Sequence, residues 1–180
     1  DIPDSATSAT FTLSPLDDAE VEDDETVVVT LAAGAGYTVG VPASDTVTIS
    51  SDDVYLVSVT GATSAEEPAT SGQFEVALNQ AVIGADAPLV LTYTVGGTAT
   101  PDSDYTSLNG TVSFAAGQAL ATLSVPVIDD DVFEGTETVS VTLDDGVKYD
   151  LSAPSSSIDL LDDEVEPVVT IAASDNAAAE

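Results

Sequence analysis

Five carboxylates stand within nine residues in the stretch Asp129, Asp130, Asp131, Val132, Phe133, Glu134, Gly135, Thr136 and Glu137. Carboxylates held about 4 Å apart repel by roughly 4 kcal/mol at an effective dielectric near 20, so a fold that gathers them needs a positive partner. The chain has 33 acidic side chains against one basic side chain, Lys148, for a formal charge of −32. An inorganic cation is therefore the most economical partner. With no Cys and no His, thiolate and imidazole sites are excluded. The hard oxygen ligands that are left suit calcium or magnesium.

The same charge balance argues against nucleic acid and anionic membrane surfaces as partners, since phosphate contacts need Lys and Arg. Catalysis is not expected. Serines have no His base and there is no Cys nucleophile. A carboxylate pair that hydrolyses glycosides needs a sugar cleft, and the chain has no Trp and few aromatic residues. No apolar run is long enough for a membrane-spanning helix, so no membrane insertion is expected. The opening DIPDSATSAT lacks the basic start and apolar core of a secretory signal, and the chain reads as a piece of a longer protein. Zero Cys with extreme acidity fits an extracellular or cell-surface setting.

The elements that must position these acids read as strands. Leu123, Val125 and Val127 alternate before the acidic stretch, and Val139, Val141 and Leu143 after it, which is the period of half-buried strands. Similar alternation marks Tyr55 to Val59, Phe74 to Leu78, Leu89 to Val95, Val112 to Phe114, and a last strand near Ser157 to Leu161. Gly72, Gly84, Gly96, Gly97, Asn109, Gly110 and Gly117 fall between the runs, where turns need residues tolerant of positive φ. About seven strands without sustained helical periodicity predict an all-β fold, an immunoglobulin-like antiparallel β-sandwich.

The first part of the chain repeats a later part. FTLSPLDDAEVEDDETVVVTL lies over LSVPVIDDDVFEGTETVSVTL and places Asp17 on Asp129, Asp18 on Asp130, Glu22 on Glu134 and Glu25 on Glu137. Tyr37 then falls on Tyr149 and, after one indel, Asp52 and Asp53 fall on Asp163 and Glu164. Such a period is that of domains in tandem. The expected organisation is the later half of a repeat at 1–53, a complete repeat at 54–165, and the first strand of a following repeat at 166–180, where VVTIAASDNAAAE resembles VSVTGATSAEE.

Within the complete repeat, further acids fall at strand ends: Glu66 and Glu67 after the first strand, Asp102 and Asp104 beside Tyr105, and Asp162, Asp163 and Glu164 at the close. Successive connections in a sandwich alternate between its two ends. The Asp104 loop and the aspartates after the fifth strand are thus expected on one side. Asp86, Asp144, Asp145, Asp150 and Asp159 are scattered and are read as solvated surface acids. The stretch is not an EF-hand, because Phe133 stands where that loop needs a polar ligand and its Gly comes one place late.

The segment GGTATPDSDYTSLNGTVSFAAGQALATLSVPVIDDDVFEGTETVSVTL closely resembles the Calx-beta motif. Its Gly-Thr-Ala, Ser-Asp-Tyr, Gly-Thr-Val-x-Phe and Ile-Asp-Asp elements carry the likeness. The resemblance implies a sandwich holding Ca2+ at one end, with ligands at Glu66 or Glu67, Asp104, Asp129, Asp130, the carbonyl of Val132, Glu134, Glu137, Asp162, Asp163 and Glu164. Where three closing aspartates are usual in this family, the chain has Glu164. In the first copy it implies Asp17, Asp18, Glu22, Glu25, Asp52 and Asp53. The expected function is a calcium-binding structural repeat of an extracellular or cell-surface protein, rigidifying a stalk or adhesin. A calcium-sensing regulatory domain is the alternative. Expected partners are calcium ions and neighbouring repeats of the same chain, and a cell-surface or glycan target is left open.

Overall fold

In the computed structural model, which describes residues 6–172 and 174, the chain divides into two units, Asp1–Val54 and Tyr55–Glu180. In the first unit, β1 (Glu25–Thr30) and β2 (Ser44–Ile49) pair antiparallel, from Glu25 opposite Ile49 to Thr30 opposite Ser44. Val28 and Val47 on this ladder are exposed. A lone two-stranded hairpin is at best marginally stable in water.

The second unit holds nine strands: β3 (Tyr55–Thr63), β4 (Ala65–Glu66), β5 (Gly72–Leu78), β6 (Leu89–Gly97), β7 (Thr111–Phe114), β8 (Leu120–Val125), β9 (Glu137–Leu143), β10 (Tyr149–Ala153) and β11 (Ser155–Leu161). One sheet runs β10-β3-β5-β8 and the other β4-β11-β9-β6-β7. Each strand turns alternate side chains inward. Tyr55, Val57, Phe74, Val76, Leu91, Phe114, Val125, Val139 and Val141 are fully buried, and together they form the sandwich core. All ladders of the unit are antiparallel except β10 with β3 and β4 with β11.

The strand count exceeds the expected seven because β4 carries the chain beyond the first strand into the other sheet and β10, which the alternation did not mark, precedes the expected last strand. Pro154, which has no N–H to donate, separates β10 from β11. Inward residues switch there from odd positions (Tyr149) to even ones (Ile158 and Leu160). Val127, read as part of the fifth strand, lies beyond β8 and forms only an isolated bridge with Tyr105. The strand expected from Val168 is not formed over 168–172: these pair with no strand among the described residues, and Val168, Val169 and Ile171 are exposed. Residues 173 and 175–180 lie outside the described residues.

Gly97 ends β6 with φ of 117° and rests directly on the Thr138 carbonyl of β9. A Cβ there would meet that backbone oxygen in a conformation L-residues avoid. Gly97→Ala is expected to destabilise the second unit by about 2 kcal/mol or more. Urea denaturation followed by tyrosine fluorescence measures it, and an unchanged midpoint would contradict this packing.

Candidate metal centre

Strand pairing delivers the acids to one pole. Because β4 and β11 run parallel, with Leu161 beside Glu66, both chains leave the sheet at the same end, and the Glu67 amide donates to the Leu161 carbonyl at 3.0 Å. Glu67 thereby meets Asp163 and Glu164, the residues that follow β11. Leu160 pairs with Glu137 across the β11–β9 ladder, so β9 begins at this pole. Gly97 pairs with Val139, so β6 ends there.

The Asp104 loop is fixed by backbone bonds. Its carbonyl accepts the Ile128 amide at 2.8 Å, its amide donates to the Thr100 carbonyl at 3.0 Å, and its carboxylate accepts the Thr100 amide. Tyr105, 1% exposed, anchors the loop in the core. The part played by the Thr100 and Ile128 amides had no mark in the sequence, since amides carry no side-chain signature.

Two groups of carboxylates result. Glu67, Asp129, Asp163 and Glu164 each bring an oxygen within 4.8 Å of the others, and so do Asp104, Glu134 and Glu137. Glu67 is 7% exposed and Asp104 3%. Glu66 belongs to neither group and is exposed. Asp130 accepts the Val132 amide at 2.7 Å, while Asp162 accepts the Glu134 and Gly135 amides at 2.9 and 2.8 Å. These two border the groups without joining them.

No cation among the described residues offsets the crowding. Lys148 pairs with Asp86, whose other oxygen accepts the Tyr55 hydroxyl at 3.2 Å, so Asp86 is not the loose surface acid its isolation suggested. At the acidic pole, burial first and then the Asp162, Asp130, Asp129 and Asp163 charges push Glu67 up to about 7. Burial and the Asp104 carboxyl do the same to Glu137, also to about 7. Glu164 is pushed up to about 7 by its carboxyl contact with Asp162, then by desolvation and Asp163. By contrast the Gly135 amide, the first of several hydrogen bonds, holds Asp162 below the usual range.

Glu164 Oε2 is buried without a hydrogen-bond partner. An orphaned carboxylate oxygen amid other carboxylates fits a hard cation of oxygen preference, and nothing in the donor set suits a soft one.

In the first unit, Asp17, Asp18, Glu22, Glu25, Asp52 and Asp53 line one cleft of about 450 Å3 with Asp23 and Ser51. Glu22 is raised by the Asp18 charge, then by desolvation, and Asp53 by desolvation, then by Asp52. Among the described residues no three of these carboxylates come within 4.8 Å.

An immunoglobulin-like sandwich with carboxylates from four separate segments at one pole defines a class of acidic-pole β-domains. The Calx-beta domain profile matches residues 3–53 and again 51–165. The chain belongs to the Calx-beta domain family. Among solved structures it is similar to the apo-form Calx CBD1 domain, with 20% identity over 63% of this chain and 100% of that one at a TM-score of 0.51. That likeness concerns the fold. CBD12 from CALX1.2 is 21% identical with a TM-score of 0.49, and this chain covers 45% of its length. The calcium binding domain CBD12 of CALX1.1 is 25% identical, with a TM-score of 0.47 and 44% of its length covered. No curated protein matches the chain.

Proposed function

We propose that the complete repeat binds calcium at its acidic pole and that bound ions stiffen a stalk or adhesin of an extracellular or cell-surface protein. The observation that carries this reading is the meeting of Glu67, Asp129, Asp163 and Glu164 beside Asp104, Glu134 and Glu137 with no cation among the described residues to offset them. Four and three carboxylates approach the six to eight oxygens calcium takes, with carbonyls and water supplying the rest. Membership of the family, and the calcium binding domain named among the similar structures, support it.

The short run Leu161-Asp162-Asp163-Glu164-Val165 joins this pole to the segment 166–180, read from the sequence as the start of another repeat. Ions held there would fix the exit direction of the chain. Extracellular modules often bind calcium at roughly 0.1 to 1 mM. Small-angle scattering across a calcium titration tests the role. A structural repeat becomes more rigid near millimolar ion, whereas a shape change completed at low micromolar ion would favour the sensing alternative.

Proton competition adds a prediction. Glu67, Glu137 and Glu164 have folded pKa values raised to about 7 from 4.5. Protonated carboxyls relieve the repulsion, so without metal their contribution to stability is full below about 4.5 and is lost as pH rises through about 7. Calcium needs the ionised forms. Calorimetric affinity should therefore fall at least tenfold between pH 8 and pH 5.5, with protons released on binding near pH 7. Equal affinity at both values would contradict the assignment.

A further inference from the structure

We infer that Asp102 is a positioning residue that staples the loop carrying Asp104 and so holds that buried carboxylate where Glu134 and Glu137 meet it. The inference rests on the calcium reading of that group. Thr100, Pro101, Asp102 and Ser103 form a turn closed by the Ser103 amide, which donates to the Thr100 carbonyl at 3.2 Å. Pro at the second place and a positive φ at the third are the marks of a type II turn, whose third place ordinarily takes Gly or Asn. Here it is Asp102, at φ of 64°, the one non-glycine residue with positive φ among the described residues. Glycine takes this backbone freely, whereas a side chain there is strained.

The turn bears directly on Asp104. Thr100 offers its carbonyl to the Asp104 amide at 3.0 Å and its own amide to the Asp104 carboxylate. The Asp102 side chain secures the far side of the same loop. Its Oδ1 accepts the Ser107 amide at 3.0 Å, and the Ser107 hydroxyl donates to the same carboxylate. The Asp102 amide donates to the Tyr105 carbonyl at 2.7 Å. Residues 102–107 are thus closed by one backbone bond and by the side-chain staple, with Asp104 inside the closure. Asp102 is itself exposed and joins neither carboxylate group, so its carboxylate serves the loop. A glycine would make the turn with less strain but could not hold Ser107, which accounts for an aspartate in a place that suits glycine.

Two variants separate the staple from the turn and from the charge. Asp102→Gly keeps the turn and removes the staple; Asp102→Asn keeps an acceptor oxygen, tolerates the same φ and removes the charge. In chelator, the Ser107 amide should exchange with solvent about tenfold faster or more in D102G and within about threefold of the parent in D102N. In calorimetric calcium titrations, D102G should lose about tenfold in affinity or more, and D102N less than about threefold. Equal loss of affinity in the two variants would make Asp102 a charge felt by the ion and overturn the proposal. Parent-like exchange at Ser107 or parent-like affinity in D102G would overturn it as well. A parent chain that binds no calcium would defeat the calcium reading, and exchange at Ser107 would then judge the staple alone.

Discussion

Stripped of divalent metal, the second unit is expected to melt roughly 10 °C below its temperature in a hundredfold excess of calcium over the dissociation constant. Linkage to one such site contributes about 2.7 kcal/mol. For a domain somewhat above 100 residues, each kcal/mol moves the midpoint by about 4 °C. Ions at both carboxylate groups would act on the same pole, so their effects need not add simply. The two units need not unfold together, so the transition of the second must be followed on its own. Tyr55, Tyr93, Tyr105 and Tyr149 are buried there and provide the near-ultraviolet signal. Magnesium at equal concentration should shift the midpoint less, because it demands octahedral geometry and gives up water reluctantly. Equal shifts from calcium, magnesium and matched sodium chloride would mean generic screening of the −32 charge.

The second large effect belongs to Glu67→Gln, which should change stability in opposite directions with and without the ion. Glu67 is 7% exposed and faces the Asp129, Asp130, Asp162 and Asp163 charges. At pH 8 its ionised form is a buried charge lacking a partner, and such charges are costly. Replacing it with a neutral amide of the same shape should raise the melting temperature in chelator by several degrees. With calcium present the same change removes a ligand, and losing one partner of a buried charge pair costs about 3 kcal/mol or more. That amounts to a fall in affinity of about 100-fold or more. Melts at pH 8 in chelator and in calcium, with calorimetry, check both arms. A variant less stable in both conditions would make Glu67 an ordinary structural side chain.

Alternation carried most of the fold. Tyr55, Val57, Phe74, Val76, Leu91, Phe114, Val139 and Val141 all fall on inward positions and all are buried, because a half-buried strand writes its period into the chain. What alternation did not convey was β10, Tyr149–Ala153, which precedes the expected last strand and lies in the other sheet. The switch in inward parity between Tyr149 and Ile158 was legible, but Ser155, Ser156 and Ser157 between them offer no apolar mark of which sheet they enter. The site was legible to a similar degree. Its acids lie at strand ends, and the repeat singled out Asp129, Glu134 and Glu137 from a background of surface carboxylates. Spacing alone could not say that Asp129 would group with Glu67 while Glu134 grouped with Asp104. That choice depends on the parallel pairing of β4 with β11, a contact between residues almost 100 positions apart.

Crystals grown with calcium at pH 8, measured for anomalous scattering, address the central idea most directly. The expected result is a peak at each carboxylate group, with oxygens of Glu67, Asp129, Asp163 and Glu164, and of Asp104, Glu134 and Glu137, at about 2.3 to 2.6 Å. Side chains turned apart into solvent, with no anomalous density between them at millimolar calcium, would contradict it.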